Sequence, residues 1–319
     1  MCDIPSENYH HVPVLSDAVI KYLKCQPGKI YVDCTLGGAG HSKLILERIE
    51  PDGKLIAIDQ DPASIQNAHN KFKSRNLILV KDNFKNISSI LDQYNFYGAD
   101  GIVADLGLSL YHIRQSGRGF SFMTDEPLDM RMNPDSKITA KNIIDTFSEQ
   151  ELSRLFWENG EERFSKRIAR NIVLQRSKNP INTSGDLCKI INYSIPKKNK
   201  NKIKIHPATR VFMALRIAVN DELNIIQTFL NDVLQCLNEG GRLCIISFHS
   251  LEDRLIKQAM RKWESPCTCP KDLPVCVCKK KSKGKSIVRK GVVADKDEIK
   301  RNPMSRTARM RIFEKISHK

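Results

Sequence analysis

No apolar run in this chain of 319 residues approaches the roughly 18 residues that a membrane-crossing helix needs. The opening stretch MCDIPSENYHHVP has neither a basic start nor an apolar segment of the kind that directs export. The expectation is a soluble, cytoplasmic protein with no membrane partner. In that reducing compartment the ten cysteines are not expected to pair as disulfides. Two nucleotide-binding fingerprints are missing as well. A dinucleotide turn beginning at Gly37 needs glycine at positions 39 and 42, where Ala39 and Ser42 stand, so a pyrophosphate ligand is disfavoured. After the same turn no Lys is followed by Ser or Thr, which argues against a nucleoside triphosphate.

What the chain does have is KIYVDCTLGGAGHS (Lys29 to Ser42) and, about twenty residues on, LIAIDQD ending at Asp61. An apolar, β-rich run from Ile30 to Val32 reaches Asp33, turns through Gly37, Gly38, Ala39 and Gly40, and enters the helical spacing Leu44, Ile45, Ile49. Such a turn lets a ligand approach the backbone. The next run, Leu55 to Ile58, delivers Asp59 where nucleoside-binding α/β domains place the carboxylate that accepts from ribose hydroxyls. S-adenosyl-L-methionine has a ribose and no phosphate, and it fits what remains.

A third strand, Leu77 to Val80, leads to Asp82, Asn83 and Phe84, whose ring suits an adenine face. A fourth, GIVADLG (Gly101 to Gly107), ends at Asp105. Strands 1, 2 and 4 thus all carry acids at the edge where open α/β sheets bind ligands. The alternation then stops, and residues 109–205 read as a helical, basic domain inserted between core segments 1–108 and 206–319. Within it Ser148 and Glu151 form a capping-box pattern, while Arg163, Lys166, Arg167 and Arg170 share a helix with Ile168 and Ile172, so that one face packs and the other is cationic. GRGFSF offers Arg118, Phe120 and Phe122 either as a clamp for an extruded base or as a packed loop. The helix within His206 to Leu223 is apolar on most sides and reads as buried, with Arg216 and Asn220 either pinning structure or facing substrate. Leu243 to Ser247 forms a fifth strand that brings His249 to the crevice, and SRTARMRIFEKI alternates as a final edge strand.

Net charge is +16, and the basic residues concentrate in Arg163 to Arg176, Lys197 to Lys204 and Lys279 to Lys290, away from the first hundred residues. A polyanion, nucleic acid first, is the expected partner. In the Cys/Lys-rich loop 265–290, CTCPKDLPVCVC carries Cys267, Cys269, Cys276 and Cys278 as two C-x-C pairs. Four thiolates so close together suit a tetrahedral zinc site, although the pairs are not the usual C-x-x-C, and a reduced loop or a redox clip is the competing reading.

Several segments together resemble one family, the bacterial 16S ribosomal RNA cytosine-N4 methyltransferases that modify the decoding centre of the small subunit. They are HHVPVL, DCTLGGAGHS, AIDQDP, ADLGLS, GRGFSF with PLDMRM, GEERFSKRIAR, HPATRVFMALRIAVNDEL, ISFHSLEDR and NPMSRTARMR, in that order along nearly the whole chain. The resemblance implies an α/β fold, a class I S-adenosylmethionine-dependent methyltransferase sheet of doubly wound, mostly parallel strands, with an inserted helical domain for substrate recognition. It implies cofactor contacts at Ala39, Gly40, His41, Asp59, Phe84, Asp105 and His112. The chain departs from the family pattern at Ala39, where glycine is usual, at Ser109 to Arg114, where SSPQLD is usual, and at Met213, where Gln is common.

Methylation of cytosine N4 needs help, because the amine lone pair is delocalised into the ring and attack requires a more tetrahedral nitrogen. Asp105 is the expected acceptor for the amine, with Ser247 or His249 as helper or proton acceptor. A DNA amino-methyltransferase is the competing enzyme, but it usually carries a proline-proline-aromatic motif where Asp105, Leu106 and Gly107 stand. An RNA-binding protein with a vestigial fold is the non-catalytic alternative, and three intact strand-end acids weigh against it. The sequence leaves monomer and homodimer open.

Overall fold

The computed structural model describes residues 13–196, 205–269 and 277–317. Two compact units divide the chain: Met1–Gly107 with Ile225–Lys319, and Leu108–Asn224. The strands are β1 (Ile30–Asp33), β2 (Lys54–Asp59), β3 (Leu77–Lys81), β4 (Ala99–Asp105), β5 (Leu237–Ser247), β6 (Gly284–Ser286), β7 (Val292–Val293) and β8 (Arg309–Lys315). The helices of the first unit are α1 (Ser16–Leu23), α2 (Gly40–Ile49), α3 (Pro62–Lys71) and α4 (Ile87–Gln93). Those of the inserted stretch are α5 (Leu110–Arg114), α6 (Ala140–Thr146), α7 (Glu149–Glu158), α8 (Ser165–Arg176), α9 (Ser184–Ser194) and α10 (Ala208–Asn220). The chain returns through α11 (Glu222–Asp232), α12 (Ser250–Glu264) and α13 (Lys296–Arg301).

Among the described residues all eight strands belong to the first unit's sheet, in the order β3-β2-β1-β4-β5-β8-β6, with β7 also on β8. The run from β3 to β5 is parallel, and β8 is antiparallel to β5, β6 and β7. Because β1 lies between β2 and β4, the winding reverses there, and the loops at the carboxyl ends of β1 and β4 diverge around a crevice. Successive strand residues feed opposite faces. Val32, Ile56, Ile58, Ile102 and Ile245 join α4, α11 and α12 in one core. Tyr31, Leu55, Val103, Cys244 and Ile246 join α1 and α2 in the other. A strand covered on both faces reads as a continuous apolar run, which is why β1, β2 and β4 stand out in the sequence.

β8 is not the edge strand that its alternation suggests, since β5 lies on one side and β6 and β7 on the other. The partners are three and two residues long, too short to leave a periodic pattern. β5 also begins earlier than the apolar run implies. Gly240, at φ 76°, sits where the register against β4 shifts between Ala99 and Gly101, so the strand continues through a bulge.

The second unit is helical. Capping boxes open α6 at Thr139 and Asn142, α7 at Ser148 and Glu151, and α9 at Thr183 and Asp186. Ala208, Val211, Phe212, Ala214 and Leu215 of α10 lie in the same core as Leu152, Ile168 and Leu187. The inserted unit therefore runs to Asn224, beyond the 205/206 division read from composition, because the apolar surface of α10 is buried among the inserted helices. Arg216 and Asn220 of α10 act as pins: Arg216 grips Glu222 through two 2.8 Å bonds, and Asn220 accepts from Met132 N–H at 2.7 Å and donates to the Met130 and Arg216 carbonyls. Met213, where the family commonly has Gln, lies half-buried on the same helix.

Cross-strand partners Arg242 and Glu314 lock β5 to β8, with Arg242 Nη2 2.7 Å from Glu314 Oε2. Arg242 Nη1 also donates to the Tyr22 carbonyl at 2.9 Å, which ties α1 to the sheet. Burial pushes the Glu314 carboxyl up, but hydrogen bonds from Arg242 and Lys285 outweigh it and hold the group below the usual range. Its contribution is therefore full above the ordinary carboxyl range and is lost as pH falls through the lowered value. Glu314→Gln should cost about 2–3 kcal/mol at neutral pH, less than the roughly 3–5 of a fully buried pair. In urea unfolding from pH 7 to about 3 the gap from the parent should narrow; a gap independent of pH would show that the pair is not its source.

Candidate active site

The turn after β1 is held from both sides. Cys34 N–H donates to the Val103 carbonyl of β4 at 2.8 Å, and Leu36 N–H donates to the Ile58 carbonyl of β2 at 2.9 Å. Gly37 and Ala39 then take positive φ, 47° and 63°, before α2 starts. Alanine thus occupies the left-handed conformation itself, a geometry that glycine adopts without cost. Its methyl group is buried among Leu36, Ala57 and Ala68, which offsets part of the strain. At Gly40 a side chain would have its Cβ 3.0 Å from two Pro13 ring carbons, so the close approach of Pro13 calls for glycine there.

The three strand-end acids have different surroundings. Asp33 is buried, with Oδ2 accepting from Ser42 Oγ at 2.6 Å and Oδ1 from Thr35 N–H at 3.1 Å. Burial pushes its carboxyl up, and it pins the start of α2 rather than facing a ligand. Asp59 is half-exposed and accepts from Gly37 N–H at 2.8 Å and Asp61 N–H at 2.9 Å, which brings the acid of β2 against the glycine turn. Asp82 N–H donates to the Asp59 carbonyl at 3.1 Å. Two residues further on, Phe84 meets Phe229 edge to face at 5.2 Å, and the ring is half-buried.

Asp105 is fixed through its backbone and its side chain together. Its N–H donates to Thr35 Oγ1 at 2.7 Å, and its Oδ1 accepts from Gly107 N–H at 3.1 Å. A Cβ on Gly107 would stand 2.7 Å from the Phe248 ring, so this loop closes over β5 only with glycine. His41 Nε2 lies 3.6 Å from Asp105 Oδ2, and both ring nitrogens of His41 are buried without a hydrogen-bond partner. A buried imidazole in that state is short of a polar contact that a ligand can supply.

At the end of β5 the sequence-derived candidates separate. Ser247 is 1% exposed and its hydroxyl donates to the Arg309 carbonyl of β8 at 3.2 Å, so it serves the sheet and not the crevice. His249 Nε2 lies 3.1 Å from Glu252 Oε1. Glu252, itself buried, accepts from Phe248 N–H at 2.7 Å and His249 N–H at 3.3 Å. Sequence reasoning missed Thr35, Ser42 and Glu252. Their signals were present: Thr35 and Ser42 lie inside the glycine segment, and Glu252 stands three residues after His249 at a helix start.

In the second unit His112 is buried, with Nδ1 3.0 Å from Ser109 Oγ and its ring 5.2 Å from Phe120. Phe120 belongs to the core, Phe122 stacks on His206 at 4.5 Å, and Arg118 Nη1 donates to the Arg131 and Met132 carbonyls at 3.1 Å. GRGFSF is thus a packed loop. Arg163, Lys166, Arg167 and Arg170 are exposed while Ile168, Ala169 and Ile172 are buried, giving α8 a cationic face. The thiols of Cys267, Cys269 and Cys278 lie within 4.8 Å of one another in the first unit; Cys276 lies outside the described residues.

A doubly wound sheet with one antiparallel strand beside β5, a glycine turn after β1 and acids at the tips of β2 and β4 defines a class I, Rossmann-like methyltransferase. Residues 8–316 match the MraW methylase family, and the chain belongs to that family. Ribosomal RNA small subunit methyltransferase H of Desulfosudis oleivorans is 47% identical over 311 residues, covering 97% of this chain and 100% of the relative. The protein of the same name from Desulforapulum autotrophicum is 47% identical over 306 residues, covering 95% and 98%. That from Clostridium botulinum Loch Maree is 46% identical over 309 residues, covering 97% and 99%. Among the described residues no helix is long and apolar enough to cross a membrane.

The turn carries its own test. Ala39→Gly should relieve about 1 kcal/mol of left-handed strain and forfeit about 0.8 kcal/mol of methyl burial, leaving denaturant stability within about 1 kcal/mol of the parent. Ala39→Val should cost about 2 kcal/mol or more, since a β-branched residue is an outlier at that φ. Equal stability for the two variants would mean that the turn does not hold the positive φ.

Proposed function

We propose that this chain transfers the methyl group of S-adenosyl-L-methionine to the N4 amine of one cytosine in the decoding centre of 16S rRNA, within the small ribosomal subunit. The observation that carries the reading is Asp105, whose carboxylate is held by Gly107 at the tip of β4 while its backbone is tied to the glycine turn through Thr35. Family membership and the names of the relatives support rRNA as substrate. The resemblance of ADLGLS, GRGFSF and ISFHSLEDR to the cytosine-N4 enzymes supports the base and the atom.

The residues present suit this methyl donor. Asp59 supplies an acceptor for ribose hydroxyls, the glycine turn from Gly37 to Gly40 presents backbone to a ligand, and the half-buried Phe84 ring suits adenine. The unpartnered His41 nitrogens supply a polar contact beside Asp105. The cofactor supplies an electrophilic methyl group on a sulfonium sulfur.

The chain's own part is to hold and deprotonate the acceptor. Asp105, accepting a hydrogen bond from the exocyclic amine, favours the tetrahedral nitrogen whose lone pair can attack. The proton released from N4 passes to Asp105 or to His249, whose Nε2 lies 3.1 Å from Glu252 Oε1 and whose ring nitrogens make no hydrogen bond among the described residues. Alignment of amine and methyl carbon contributes more than proton transfer, because the donor is already activated. The exposed Arg163, Lys166, Arg167 and Arg170 give a sequence-independent grip on phosphates.

Tritiated methyl transfer to small subunits lacking the modification, followed by mapping of the labelled base, tests the reading directly. Asp105→Ala should lower kcat by about 100-fold or more and change cofactor affinity far less. Asp59→Ala should weaken cofactor binding by roughly tenfold or more, measured by calorimetry. Label on adenine, preference for DNA, or parental turnover in Asp105→Ala would overturn the assignment. Replacing Arg167 and Arg170 by Gln should weaken rRNA binding and flatten its salt dependence by about 1 for each phosphate no longer neutralised.

A further inference from the structure

We propose that Cys267, Cys269 and Cys278 bind a structural zinc ion that fixes the basic loop around Lys279–Lys285. The three Sγ atoms already lie within 4.8 Å of one another. With Zn–S bonds of about 2.3 Å, a tetrahedral site sets its sulfurs about 3.8 Å apart, so closure needs roughly 1 Å of side-chain movement. Each thiol releases its proton as it ligates. These three thiolates supply three of the four positions of a tetrahedral site, and a water molecule can take the fourth.

The surroundings give such a clasp something to hold. After α12 the chain leaves the sheet, and it returns at β6 through bonds on each side of the cysteines. Lys283 N–H donates to the Trp263 carbonyl at 2.7 Å, Ile316 N–H donates to the Lys283 carbonyl at 3.3 Å, and Ser286 Oγ donates to Glu264 Oε2 at 3.1 Å. Trp263 is itself anchored edge to face on Phe313 at 5.2 Å. Lys280 Nζ reaches back to Thr268 Oγ1 at 3.2 Å, joining the two cysteine-bearing segments. The segments that carry the cysteines are thus fastened to the sheet at Trp263 and Glu264 on one side and at Lys283 and Ser286 on the other.

The other cysteines of the described core have a different chemistry. Burial pushes the Cys236 thiol up to about 11 and Cys244 to about 12, and it raises Cys34 well above the ordinary thiol value. Those thiols stay protonated and serve as small apolar groups. Cys267 is exposed and Cys269 and Cys278 are half-buried, within reach of a hydrated ion.

Lys279, Lys280, Lys281, Lys283 and Lys285 are all exposed. Their ammonium groups offset the negative charge of a zinc–thiolate centre. Close by, α12, β6 and β8 enclose a cleft of about 400 Å³ lined by Lys257, Arg261, Ser265 and Arg289. A rigid basic loop beside a cationic cleft loses less conformational entropy on gripping a phosphate backbone than a floppy one does. The zinc assignment stands apart from the methyl-transfer reading; only the RNA consequence rests on it.

The test uses the full chain purified under reducing conditions. Elemental analysis should find about one zinc per chain. Cobalt(II) in its place should give the sulfur-to-metal charge-transfer absorption of a thiolate site. Cys269→Ser and Cys278→Ser should each abolish stoichiometric metal, whereas Cys188→Ser, in the other unit, should retain it. In Cys278→Ser, rRNA affinity should fall about tenfold, and the salt slope by about 1 or more, with calorimetric binding of S-adenosyl-L-methionine unchanged. Zinc-free parent protein without the cobalt spectrum, metal retained in Cys269→Ser, or a disulfide among these cysteines in its place would overturn the site. Loss of metal with rRNA affinity intact would overturn the loop's role. If the calorimetry on the parent gives no heat with S-adenosyl-L-methionine, it is the methyl-transfer reading that fails, and the zinc result still decides the site.

Discussion

Thr35 is the joint on which the crevice depends. Its N–H donates to the buried Asp33, and its hydroxyl oxygen accepts from the backbone N–H of Asp105 at 2.7 Å. One residue therefore ties the first turn to the end of β4, across the line where the sheet reverses its winding. Without that bond the two loops are joined near their tips chiefly by the Cys34–Val103 backbone bond. The glycine turn on one side and the carboxylate of Asp105 on the other would then no longer share a fixed frame. Catalytic alignment demands such a frame, because a displacement of about 1 Å in a reacting group can cost two orders of magnitude in rate.

The frame also explains why chemically similar acids divide their work. Asp33 lies beneath the turn, where burial raises its carboxyl and Ser42 and Thr35 take up its oxygens. Asp59 and Asp105 lie further out: Asp59 accepts from Gly37 N–H of the neighbouring turn and from Asp61 N–H of its own loop, and Asp105 accepts from Gly107 N–H two residues on. A carboxylate positioned in this way keeps lone pairs for a second donor while its direction is set by the first. The same logic applies to His249, whose neighbour Glu252 spends one oxygen on the backbone at the start of α12 and brings the other to the imidazole.

Much of this was legible in the sequence where burial on both faces forces apolar runs and where a strand end carries an acid: β1 to β4, Asp59 and Asp105 all follow from that pattern. What escaped had no periodic signature. β6 and β7 are too short to alternate, so β8 looked like an edge. Asp33 and Asp59 look alike in sequence, and only the third dimension puts one under the turn. Ser247 was a reasonable candidate by position, but pairing with β8 engages its hydroxyl at Arg309. The end of the insertion was misplaced because α10, apolar on most sides, can be buried by either unit, and composition does not say which. Arg118 and Phe120 carry the residue types that hold nucleobases, yet the first satisfies loop carbonyls and the second fills a core.

Charge placement follows from the two ligands of the proposed reaction. A sulfonium compound is cationic and an RNA is a polyanion, so one protein must offer acids to the first and bases to the second without letting them neutralise each other. Within the first unit the acids Asp59 and Asp105 gather at the carboxyl edge of the parallel strands, while the exposed lysines from Lys279 to Lys285 follow α12 and lead into β6. Arg242 and Arg311, the cations closest to the sheet's interior, are each consumed by a carboxylate, Glu314 and Asp253, in paired bonds of 2.6 to 2.9 Å. These two cations of the sheet are thus paired and largely buried, while the exposed cations include a run on the loop after α12 and one face of α8 as well as others along the chain. The net excess of sixteen positive charges includes these exposed cations. Such an excess repels itself and weakens the compact state, and what it offers in return is steering of a polyanion.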